Sequence, residues 1–149
     1  MARRVYSRAF ASVRFMSPKL APLTITNLLG LPADHQHRFG ERRLVRTATG
    51  RINEYAPYSS GQWSMSSESW VQSTKLETHL IWLLVQLEPH AEAIHAIDIP
   101  DLKTDFFCYS AGATPAKPAI SESVTRRARA LGISIDIDHY DTSDDGNPA

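Results

Sequence analysis

One cysteine, Cys108, stands in the whole chain, so no internal disulfide can form and the stapled framework of a small secreted domain is excluded. Long apolar runs are also missing. The strongest, Leu80 to Leu87 (LIWLLVQL), falls far short of the roughly 20 residues that span a bilayer, and it reads as a buried helix. Glycine is scarce at 7 residues, and none of them builds a G-x-G-x-x-G turn, a P-loop or a G-x-S-x-G elbow, which removes glycine-cradled nucleotides and the common serine-hydrolase nucleophile. Net charge is absent too: 16 Lys/Arg balance 16 Asp/Glu at a pI of about 7.0, far from the basic balance of a dedicated nucleic-acid domain. The amino-terminal stretch MARRVYSRAFASVRF carries arginines without a continuous apolar core, so it does not read as a secretory signal; a transit peptide is the minor alternative. A cytoplasmic location and no membrane association are the resulting expectations.

What is present suffices for one core. With 149 residues and 42% hydrophobic side chains, the chain fits one α+β domain over residues 1–141, followed by a flexible acidic tail over 142–149. Val5 to Phe15 alternates, with Val5, Ala9, Ala11, Val13 and Phe15 on one face, as a half-buried strand does. Ser17-Pro18 breaks it, and Leu23 to Leu29 predicts a short helix with Gly30 as its C-cap. A polar, basic stretch over 35–55 follows, in which Leu44 to Thr47 offers a strand and Gly50 a turn. Gln62 to Ser67 reads as a strand with a buried Trp63. From Thr74 the period becomes helical through Leu76, Leu80, Leu83, Leu84 and Leu87, with Ser73 or Thr74 and Glu77 as a capping box. Pro89 should end that helix and open another through Ala91, Ile94 and Ile97. Thr104 to Tyr109 predicts a strand, Ala111 to Pro118 a loop, Ser121 the cap of a helix stopped by Gly132, and Ile133, Ile135 and Ile137 a last strand. An antiparallel or mixed sheet of about four or five strands, with helices packed on one face, accommodates this order. A ferredoxin-like βαββαβ core with an added helix and strand is the expected topology.

Charge is distributed unevenly along the chain. Residues 1–51 hold ten Lys/Arg against two Asp/Glu, leaving six against fourteen in the remainder. Internal complementarity explains this better than a dedicated basic surface, but one basic cluster stands out: Arg38, Arg42, Arg43, Arg46 and Arg51, close to Phe39, Tyr55 and Tyr58. Guanidinium forks beside aromatic rings suit acidic protein surfaces or unpaired nucleic acid. Of the three tryptophans, Trp63 and Trp82 read as core, whereas Trp70 in the polar run SSESWVQS is the candidate exposed anchor. His35 and His37 form an H-x-H pair, but the six histidines match no zinc spacing and read as scattered surface residues; no metal and no cofactor are expected. Cys108, inside the apolar TDFFCY, reads as an inert buried thiol. Asp105 and Asp136 would make a carboxylate pair for acid–base chemistry only if adjacent strands brought them together.

Several phrases, namely ITNLLGLPAD, GQWSMSS, ETHLIWLLVQLEPHAEAI, DLKTDFFCYS and SVTRRARALGISIDIDHY, occur in an order that resembles the bacterial family of domain of unknown function 4279. The resemblance covers most of Val5 to Tyr140, and the segment His35 to Tyr55 departs most from the pattern. It carries no catalytic residues over. It implies a small bacterial intracellular protein of a class whose members sometimes look like immunity or accessory proteins. The functional expectation is a non-enzymatic module, monomer or homodimer, that binds a protein partner through Arg38, Arg42, Arg43, Arg46, Arg51 and Trp70. A small hydrolase or transferase with an acidic cleft, and single-stranded nucleic-acid binding through the 38–51 segment, are the alternatives.

Overall fold

A computed structural model describes residues 5–143. The alternating apolar run at the start forms strand β1 (Tyr6–Ser17), in which Ala9, Ala11, Val13, Phe15 and Ser17 are buried and the residues between them are half-buried. Its continuous apolar face suits the centre of a sheet, and β1 is the middle strand of five, in the order β2-β5-β1-β6-β7. The partners are β2 (His35–His37), β5 (Gly61–Ser66), β6 (Lys103–Gly112) and β7 (Ser134–Asp141). β1 pairs antiparallel with β5 and β6, β2 pairs antiparallel with β5, and β6 and β7 run parallel. The sheet is therefore mixed, as expected. The ferredoxin-like arrangement is not confirmed. A split βαβ unit has another strand between its two parallel strands, whereas β6 and β7 here lie side by side.

Helices α1 (Pro22–Leu29), α2 (Leu76–Leu87), α3 (Ala91–His95) and α4 (Glu122–Ala130) contribute Ile25, Leu29, Leu80, Leu83, Leu84, Ile94, Val124 and Ala128 to one cluster with Phe15, Trp63 and Phe106. All four helices thus cover the same face of the sheet. Gly30 caps α1 in the left-handed conformation (φ 64°), as its position predicted. Ser121 caps α4 through its hydroxyl, which accepts from the Val124 N–H at 3.2 Å. The Glu88–His90 turn, holding Pro89, separates α2 from α3.

Four local expectations are corrected. No capping box opens α2: its N-cap is Lys75 with no side-chain bond, and Glu77 instead accepts the Ser121 N–H at 2.8 Å, tying α2 to the start of α4. β6 runs on to Gly112 because β1 offers it a partner as far as Tyr6, so the expected loop starts two residues late. β2 is a strand no local pattern announced. Thr142 is fastened to Gly112 by a 2.8 Å backbone bond, so the expected tail is tied at its first residue. The remainder of that tail, over 144–149, lies outside the described residues.

Among the described residues, the sheet's other face carries no helix. By register, Phe10, Ser12, Arg14, Asp105, Phe107, Tyr109, Asp136 and Asp138 share it. Phe10 stacks on Tyr109 (centroids 5.1 Å apart, planes at 11°), and the Arg14 guanidinium lies 4.8 Å from the centre of the Phe107 ring.

Candidate functional site

The basic segment folds into a separate hairpin of β3 (Arg43–Arg46) and β4 (Ile52–Tyr55). Thr47 and Gly50 close its turn with a 2.9 Å backbone bond, where the turn was expected. Cross-strand register puts Arg43, Val45, Asn53 and Tyr55 on one face and Leu44, Arg46, Ile52 and Glu54 on the other. Both faces are exposed: Ile52 is 56% exposed on one and Tyr55 48% on the other. Two strands alone are marginal in water. The hairpin is held at its base, where the Gly40 N–H donates to Tyr58 O (2.8 Å) and the Tyr58 N–H to Glu41 O (3.2 Å).

An aromatic stack continues from that base into the sheet edge. Tyr58 lies flat on His37 with centroids 3.5 Å apart and planes at 11°, and His35 meets His37 edge-on at 5.1 Å. On the hairpin side the Arg43 guanidinium covers both Tyr55 (5.4 Å) and Tyr58 (5.5 Å). His37 is only 7% exposed, and its Nδ1 has no hydrogen-bond partner. Burial, followed by the neighbouring His35, lowers its pKa and favours the neutral ring.

Among the predicted binding residues, Arg42 is drawn into a pair with Glu54 at 3.0 Å, whereas Arg38, Arg43, Arg46 and Arg51 enter no ion pair among the described residues. Trp70 is exposed as expected, at 69%, but it is not part of this cluster. It lies beside the start of β2, near Asp34, whereas the arginines follow the strand's other end. Its indole stacks on that of Trp82, 6.1 Å away at 14°, and Trp82 is half-buried rather than core.

The expectation of scattered surface histidines fails for two of them. His79 is buried at 1% exposure. Its Nε2–H donates to Ser73 O (2.8 Å), so Nδ1 accepts from the Ser67 hydroxyl (2.7 Å), whose oxygen in turn accepts the Ala11 N–H (3.0 Å). This relay pins the 67–75 loop that presents Trp70. The place of His79 on the apolar stripe of α2, between Leu76 and Leu83, was the signal available for its burial. His37 gave a weaker one, since its alternation with His35 spans only three residues.

Register places Asp105 and Asp136 on the same sheet face, so geometry alone does not separate them. However, both Asp105 oxygens accept from Arg14, Nε at 2.8 Å and Nη2 at 2.6 Å. That fork occupies both carboxylate oxygens in an ion pair and raises the Arg14 pKa. Cys108 is fully buried, and burial pushes its thiol up to about 12, as far from a nucleophile as the apolar strand implied. No helix among the described residues is long and apolar enough to cross a membrane.

No curated protein and no solved structure matches the chain. A family model described as "Domain of unknown function (DUF4279)" matches residues 6–142, nearly all of the length over which these elements fold. The sheet, its helical cover and the hairpin inserted between β2 and β5 are thus the equipment of a chain that belongs to the DUF4279 family.

Proposed function

We propose that this chain is a non-enzymatic protein-binding module, an accessory or immunity-like protein of the bacterial cytoplasm, whose contact element is the β3–β4 hairpin. The observation that carries the reading is a two-stranded element exposing Leu44, Val45, Ile52 and Tyr55 beside Arg38, Arg43, Arg46 and Arg51. Apolar side chains on so small a hairpin gain nothing in the isolated domain. They gain burial when a partner covers them. Arginine and tyrosine are favoured at the centres of protein interfaces, and four guanidinium groups unpaired among the described residues select an acidic partner surface.

The test is capture of partners by tagged protein at low and moderate salt, with a nuclease-treated arm, comparing the parent with Arg43→Glu, Arg46→Glu. A stoichiometric protein that survives nuclease and is lost with the double variant is the expected result. Equal capture by parent and variant overturns it. Nucleic acid lost on nuclease treatment would instead favour the single-stranded binding reading, for which the exposed Phe39 and Tyr55 rings beside the arginines are the candidate stacking partners.

A further inference from the structure

The groove beside Trp70 has a chemistry the hairpin does not share. It encloses about 340 Å³ between the end of α1, the start of β2 and α2. Leu31, Pro32 and Met65 give it an apolar lining, and the paired indoles of Trp70 and Trp82 form its aromatic wall. Its polar groups are the Asp34 carboxylate and the Gln86 amide, and among the described residues no Lys, Arg or His lines it.

We propose that this groove binds a small organic cation bearing a quaternary or alkylated ammonium head. Indole faces carry the negative end of the ring quadrupole and attract cations more strongly than other aromatic side chains. An alkylated ammonium is large and weakly hydrated, so the apolar lining welcomes its methyl groups while Asp34 supplies the one opposite charge. The volume falls in the range of small-molecule sites, which combine apolar walls with a few fixed polar groups.

The main chain that carries Trp70, and the Asp34 carboxylate, are fixed by the fold itself. Trp70 N–H and Val71 N–H both donate to Ser67 O (2.9 Å each), and Ser67 is fixed to β1 by its own N–H to Ala11 O at 2.9 Å and to α2 through His79. Asp34 Oδ2 accepts the Ser66 N–H at 2.5 Å, which orients the carboxylate against the end of β5. The Trp70 main chain is thus held in place, and the stack on Trp82 is what orients its 69% exposed indole, so part of the ordering that binding requires is already present.

The full chain would be titrated calorimetrically with choline chloride and tetramethylammonium chloride, and with the neutral isostere 3,3-dimethylbutan-1-ol. Saturable 1:1 binding of both cations is expected, with the alcohol at least tenfold weaker. Trp70→Ala should weaken choline at least tenfold. Asp34→Asn, which keeps the acceptor for Ser66, should weaken it several-fold and reduce the preference over the alcohol. Retained melting temperatures would show that both variants fold, and Trp70→Phe, with a smaller ring, should fall between parent and Trp70→Ala. No saturable cation binding, equal affinity for the alcohol, or an unchanged Trp70→Ala would overturn the proposal. The hairpin reading is untouched by any of these outcomes.

Discussion

Arg14 reaches from the central strand to Asp105 on its neighbour, and the pair sits with side chains only 28% and 16% exposed. A forked, half-buried ion pair of this kind costs more to break on one side than a surface pair, because the carboxylate left behind is partly desolvated. Arg14→Met should therefore lower stability by about 1–3 kcal/mol in urea denaturation. His37 works in the opposite sense. Its pKa is lowered in the folded state by burial and by His35. The unfolded chain therefore binds the proton more readily, and the stability of the neutral ring is present above the ordinary histidine pKa and is lost as pH falls below it. Denaturation between about pH 7.5 and pH 5.5 should show stability falling with acid, and His37→Phe should flatten that slope while keeping a ring to stack on Tyr58. A slope unchanged in the variant would assign the acid sensitivity elsewhere.

The hairpin behaves as a detachable element. Its ends meet at Gly40, Glu41 and Tyr58, already bonded to one another, so replacing residues 42–57 with Asn-Gly closes the chain with a two-residue turn. That excision should shift the melting temperature by no more than about 4 °C. It should also abolish partner capture. Elements were legible in the sequence in proportion to how much apolar pattern they carry. β1, α2, α4 and β7 show sustained periodicity because their sides face core and solvent alternately, and their boundaries came within a few residues. β2 is invisible by the same logic, since three residues, two of them histidines, carry no period; its pairing is imposed by β5. The exposed tryptophan and the arginines were recognisable by polarity. Their separation by β2, and the joining of Trp70 to Trp82 and Asp34, depend on tertiary placement that no local pattern encodes.

At the scale of the whole molecule, the opposite charges of the two halves of the chain are interleaved in part. The early half supplies Arg14 and Arg8 to Asp105 and Glu68 of the later half, which is the internal complementarity expected of an α+β fold. Among the described residues, Arg38, Arg43, Arg46 and Arg51 enter no ion pair and lie on or beside the β3–β4 hairpin, which stands outside the five-stranded sheet. Order therefore comes from a mixed sheet covered by helices on one side, with the exposed hairpin and the Trp70 groove lying at the opposite ends of a three-residue edge strand.

The central position of β1 has a consequence for how the chain is made. It leaves the ribosome before both of its neighbours, since β5 begins at Gly61 and β6 only at Lys103. Until Gly61 is made neither backbone edge of β1 has its native partner, and from β5 to Lys103 the edge that β6 will take is still unpaired. Pairings of such long sequence separation form slowly, and an unpaired apolar strand is the template on which nascent chains stick to one another. Synthesis that stalls before Lys103 would release a chain with its central strand open on one side, a substrate for chaperones and proteases rather than a shorter version of the domain.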